Sequence, residues 1–72
     1  MARSYLRLAL SRRVIVNLKS GSAIEGALFD ERGPLLVLKN ALLHERGASG
    51  PTPMDGDVIV ERQHIDFVQA VS

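Results

Sequence analysis

Apolar and polar residues alternate with a period of two along most of this chain, and breaks in the alternation divide it into short strands. Val14, Val16 and Leu18 share one face of a strand expected from Arg12 to Lys19, because successive strand residues point to opposite faces. Ser20-Gly21-Ser22 has turn chemistry, and Ile24, Gly26 and Leu28 repeat the apolar face in a second strand from Ala23 to Phe29. Gly26 interrupts that face. A glycine inside a strand weakens it unless the sheet must bend sharply or another backbone must come close. Asp30-Glu31-Arg32-Gly33-Pro34 reads as a polar loop fixed by Gly33 and Pro34. A third strand begins at Leu35, bends at Asn40 and reaches His44 or Glu45. Gly47 to Pro53 has loop composition and is expected to be flexible. A fourth strand is expected from Asp57 to Arg62, a tight connection at Gln63-His64, and a last strand from Ile65 to Val71. These elements predict a small, mainly β, strongly bent five-stranded antiparallel barrel.

The first eleven residues fit two patterns. Ser4 is a fair N-cap, and Leu6, Ala9, Leu10 and Arg13 lie at helical spacing, with Arg3 and Arg7 one turn apart. Leu6, Leu8 and Leu10 also alternate as a strand would. A short helix over residues 4–11 that lids the barrel is the preferred expectation, with the barrel itself over 12–72.

Two of the expected strands are apolar on both faces. Leu35 and Val37 oppose Leu36 and Leu38, and Ile65 and Phe67 oppose Val68 and Ala70. A lone antiparallel barrel keeps one face wet, so something must cover the second face: the N-terminal segment for one strand, a neighbouring subunit for the other. Length points the same way. A chain of 72 residues is one domain and buries only about 60% of its unfolded surface. Scaffolds of this size add disulfides, a metal or oligomerisation. There are no cysteines and two histidines, which leaves oligomerisation.

Charge adds an asymmetry. Arg3, Arg7, Arg12, Arg13 and Lys19 precede the first acidic residue, Glu25, and the rest of the chain is predominantly acidic. The net charge is only +1. A basic front on an acidic body suits a solvated surface or contacts between copies better than it suits a nucleic acid. No apolar run approaches the roughly 18 residues that span a bilayer. No secretory leader is visible, so the expected setting is intracellular, without membrane association.

Catalysis finds little support. His44 and Glu45 are strand neighbours and point to opposite faces. His64 and Asp66 share a face, but His64 falls in a turn. Asp55, Asp57 and Glu61 read as a polar strand edge rather than a metal site. No Gly-Lys-Ser/Thr follows Gly47 and Gly50, so no phosphate loop is present. No enzyme, metal or cofactor is expected. Stacking of single-stranded nucleic acid would need aromatic platforms in a basic groove, and only Tyr5, Phe29 and Phe67 are available.

The order Ser11-Arg12-Arg13-Val14-Ile15-Val16-Asn17-Leu18-Lys19-Ser20-Gly21, Gly26-Ala27-Leu28, Leu36-Val37-Leu38-Lys39-Asn40-Ala41 and Gly56-Asp57-Val58-Ile59-Val60 resembles Sm-like proteins. The resemblance covers Leu10 to Val71 and implies an SH3-like barrel that assembles into a hexameric or heptameric ring. It also implies that the fourth strand of one subunit pairs with the fifth of the next. Carried onto this chain, that makes Val58, Ile59, Val60, Phe67, Val68 and Ala70 the interface. Short divergent chains of this look resemble those of tailed bacteriophages, which would place the ring in a host cytoplasm or a virion.

The RNA-binding motifs of the resemblance depart here. The family has Asp, two residues, then Met-Asn before its Leu-Val-Leu strand; this chain has Pro34 and Leu35 at the Met and Asn positions, and only Asp30 or Glu31 to match the aspartate. The second motif, Arg/Lys-Gly, becomes Glu61-Arg62, followed by Gln63. A pore-facing Glu61 repeated around a ring repels phosphate, although an Arg62 turned toward the pore would offset it. The expected role is therefore a self-assembling structural or adaptor module, open to further protein partners. The alternative is single-stranded nucleic acid bound through Arg3, Arg7, Arg12, Arg13 and Arg62. An oligonucleotide-binding barrel of different topology is disfavoured by the early bent hairpin and the short Gln63-His64 connection.

Overall fold

The computed structural model describes residues 9–71, and one curved antiparallel sheet accounts for most of them. β1 (Arg13–Leu18) and β2 (Ala23–Arg32) form the first hairpin, with Val14 opposite Gly26 and Val16 opposite Ile24. β3 (Leu35–His44) returns along β2. The short β4 (Thr52–Pro53) pairs with the far end of β3, and β5 (Val58–Glu61) with its near half. After a single 3-10 turn (Arg62–His64), β6 (Ile65–Ala70) lies against β1. The order is β4-β3-β2-β1-β6, with β5 on β3 beside β4.

Two irregularities bend this sheet. Gly26 stands alone against Asn40 and Ala41, between the pairs Glu25–Leu42 and Ala27–Lys39. Asn40 is left-handed, with φ 53°, a conformation that asparagine adopts more readily than most residues. A Cβ on Gly26 would lie 3.0 Å from the Lys39 carbonyl oxygen and 3.3 Å from the Ala41 Cα. The bend and the close approach expected of a strand glycine occur together. Phe29 is the extra residue of a second bulge, between Leu28–Leu38 and Asp30–Val37.

The apolar faces read from the pattern meet inside the curve. Val14, Val16, Leu28, Leu36 and Leu38 are completely buried, with Ile24, Ala41 and Val60 beside them. Each such side chain contributes about 1.5–3 kcal/mol relative to exposure.

Several expectations require correction. The sheet has six strands rather than five. Asp30, Glu31 and Arg32 are not a loop: β2 continues through them, opposite Val37, Leu36 and Leu35. Only Gly33 and Pro34 turn. Gly33 has φ 58°, and proline cannot follow with a positive φ, so the loop is of the II′ kind that suits a hairpin. The expected flexible segment contains β4. Residues 4–8 of the expected N-terminal helix, Arg7 among them, and Arg3 before it lie outside the described residues. The described part is a tight turn rather than a helix, closed by Arg12 N–H donating to the Ala9 carbonyl at 2.9 Å, with Ser11 at φ 69°. Ala9 is buried in the core.

Candidate functional site

Two turns distant in sequence meet at one end of the sheet, and they are the segments that the sequence resemblance set against the two RNA motifs. Arg62 N–H donates to the Pro34 carbonyl at 2.8 Å, and Arg62 Nε donates to the Gly33 carbonyl at 2.8 Å. The Arg62 guanidinium also pairs with the Glu31 carboxylate, whose side chain is only 12% exposed. Asp30 accepts from the Glu31 backbone N–H at 2.8 Å and from Arg32 at 3.1 Å. Arg62 is thus turned onto its own β2–β3 hairpin. Glu61 is left exposed, accepting from Gln63 Nε2 at 2.8 Å and lying 3.4 Å from His64 Nε2. The outward charge is carboxylate, and the inward one is cation.

The other basic candidates divide. Arg13 Nε donates to Glu25 Oε2 at 3.0 Å, and its Nη2 reaches the Asn40 carbonyl at 3.3 Å. His44 Nε2 meets the second Glu25 oxygen at 2.9 Å. One carboxylate therefore links β1, β2 and β3 beside the bend. Arg12 is exposed. Glu25 and Glu31 are six residues apart on β2, roughly 20 Å along a strand, so Arg13 and Arg62 belong to separate clusters.

Hydrogen bonds from Arg13 and then His44 hold the Glu25 carboxyl below its ordinary value of 4.5. Since this carboxyl titrates lower folded than unfolded, its stabilisation is complete above the unfolded pKa and is lost as the pH falls through the folded one. Between about pH 5 and about pH 3 the melting temperature of the wild type should therefore fall more steeply than that of Glu25→Gln. Parallel curves would mean that Glu25 contributes no such linkage.

The expected interface residues occupy both open edges. Among the described residues, β5 and β6 each have a strand neighbour on one side only. Val58 and Val60 face inward opposite Leu38 and Leu36, and Val60 belongs to the core. Ile59 faces outward and is 61% exposed. On β6, Val68 and Ala70 lie opposite Val16 and Val14, whereas Phe67 lies opposite Asn17 and is 54% exposed. The sequence pattern puts Phe67 on the same face as Ile65; the bulge at Asp66 breaks that alternation and turns Phe67 outward. Phe29 is exposed as well, with Lys39 Nζ 4.4 Å from its ring centroid and 3.3 Å from Asp57.

Sequence reasoning overlooked the Arg13–Glu25–His44 and Arg62–Glu31 contacts. These partners are 12 to 31 residues apart, and strand register is the only signal that could have paired them. Among the described residues, no three His, Asp or Glu side chains gather as a metal would require, and no helix is long and apolar enough to cross a membrane.

Comparison with solved structures assigns the fold. The chain superimposes on the P. aerophilum SmAP1 heptamer with a TM-score of 0.79 and 22% identity, covering 93% of this chain and 88% of that one. The Pyrococcus abyssii Sm protein in complex with a uridine heptamer gives a TM-score of 0.79 at 19% identity, covering 96% and 100%. A chain of the NatC complex bound to CoA gives 0.76 at 22% identity, covering 99% and 90%. No protein-family model and no curated protein sequence matches the chain. The fold is Sm-like.

Proposed function

We propose that this Sm-fold chain is a non-catalytic subunit that assembles edge to edge, β5 of one copy against β6 of the next, into a closed hexameric or heptameric ring. The ring acts as a structural or adaptor module. The observation that carries this reading is the pair of open strand edges, each with an outward apolar residue, Ile59 on β5 and Phe67 on β6. Unpaired edges are normally blunted by proline, charge or brevity. β4 shows that treatment, with two residues flanked and ended by Pro51 and Pro53; β5 and β6 contain no proline. Two different edges joining head to tail form a heterologous contact, which closes into a ring when the rotation permits. The heptamer formed by P. aerophilum SmAP1 supports the ring, and the related chain in the NatC complex supports a place in protein assemblies.

An adaptor is favoured over a uridine binder because Arg62 is bonded to Glu31 and Gly33, and Glu61 is presented in its stead. Sedimentation velocity should give a mass several times the 7.9 kDa of one chain. Fluorescence anisotropy with oligo-uridine and mixed-sequence RNA and DNA should show weak binding that disappears at physiological salt. A single-subunit mass at all concentrations would remove the ring. Tight binding at physiological salt would establish the alternative, nucleic acid held on a basic surface that includes the exposed Arg12; the uridine-bound Pyrococcus abyssii structure is the observation in its favour.

A further inference from the structure

Beside the free edge of β5 lies a cleft of about 500 Å3, floored by Leu18, Ile24, Val58 and Val60, with Lys19 and His64 at its rim. Lys19 is exposed and makes no ion pair among the described residues, although its backbone N–H donates to the His64 carbonyl at 2.8 Å. Asp66, at the start of the other free edge, is also exposed and also makes no ion pair among the described residues. Asp66 has no partner in the β1–β6 ladder, because Asn17 lies opposite Phe67 and Leu18 opposite Ile65. A bulge of this kind re-aims the extra side chain. Two charges of opposite sign thus lack an ion-pair partner among the described residues, Lys19 in the lining of the cleft beside β5 and Asp66 on the free edge of β6.

We propose that the cleft is occupied by β6 of a second copy, whose Asp66 forms an intersubunit ion pair with Lys19. The inference rests on the edge-to-edge reading and goes beyond it by assigning the cleft and the ionic contact that sets the register. Charge complementarity carries the assignment. With β6 of the second copy running antiparallel on β5, its first residues lie near Glu61, where the chain continues into the 3-10 turn. Lys19 and Glu61 line the same cleft. Lys19 gives an incoming Asp66 a counterion and offsets its repulsion from Glu61. The inward residue Val68 of that strand, with the exposed Ala70 beyond it, then extends the apolar floor formed by Val58 and Val60.

A charge swap tests this. Lys19→Glu and Asp66→Lys should each weaken assembly about threefold to tenfold, as expected for a partly screened pair converted to repulsion. The double variant should recover to within about threefold of wild type. The readout is the dissociation midpoint in sedimentation or native mass spectrometry, with circular dichroism reporting the fold. Lys19→Gln should give an intermediate loss. Single variants that assemble like wild type would overturn the proposal, as would a double variant no better than the singles. A wild type that never assembles would instead refute the edge-to-edge reading on which the pair depends.

Discussion

Ile59→Asp should leave the subunit folded and remove its ability to form a ring. Ile59 is already 61% exposed, so an aspartate there costs the isolated sheet little. Against β6 of another copy the same carboxylate would be desolvated without a partner, which is heavily penalised. A loss of about 2 kcal/mol or more, typical of a central contact residue, weakens each junction roughly 30-fold. Sedimentation at micromolar concentration should then show single subunits with an unchanged circular dichroism spectrum. Phe67→Asp should do the same from the other edge. A heterologous junction makes a sharper demand. Ile59→Asp retains an intact β6 edge and Phe67→Asp an intact β5 edge, so mixing the two variants should yield heterodimers and nothing larger. Phe29→Ser provides the control, since Phe29 is 60% exposed but lies on β2, away from both edges. Full-size assembly by Ile59→Asp would show that the copies meet through another surface.

Gly26→Val should produce the largest loss of stability among single surface-neutral changes. The new Cβ would lie 3.0 Å from the Lys39 carbonyl oxygen and 3.3 Å from the Ala41 Cα, both backbone atoms at the bend of β3. Relief requires β2 and β3 to separate at the bulge where Gly26 faces Asn40 and Ala41. Overpacking of this kind costs about 1–3 kcal/mol, which lowers the melting temperature of a domain this size by roughly 5–20 °C. Gly50→Ala is the appropriate comparison. Its Cβ would meet nothing within 4 Å, and reduced unfolded-state freedom makes such a change neutral or mildly stabilising. Thermal unfolding of the two variants should move in opposite directions or differ by most of that interval. Equal melting temperatures would mean that the bend can relax around a side chain at residue 26.

Much of the fold was legible along the chain because it depends on local chemistry. The period-two faces of Val14, Val16, Ile24 and Leu28, the Ser20-Gly21-Ser22 turn, the bend at Asn40 and the glycine at the close approach all express steric preferences of individual residues. The resemblance to Sm-like proteins drew on the same features, and the fold agrees with it. Polar composition misled at Asp30–Arg32, where β2 continues because the β2–β3 ladder extends to the Gly33-Pro34 turn and the carboxylates find Arg32 and Arg62.

The site itself was less legible. Sequence placed Glu61 and Arg62 in the second motif, but which way Arg62 turns depends on Glu31, brought to it across two strand pairings. His44 finds Glu25 on another strand rather than its neighbour Glu45. Phe67 is outward because a single unpaired residue, Asp66, shifts the alternation. The amino-acid sequence by itself determined most of the strands and their bend, since these follow from short-range sterics and from the alternation of apolar residues. Only the tertiary structure decided which charges are satisfied and which edges remain open, because those depend on register, and one bulge is enough to change the register of every residue beyond it.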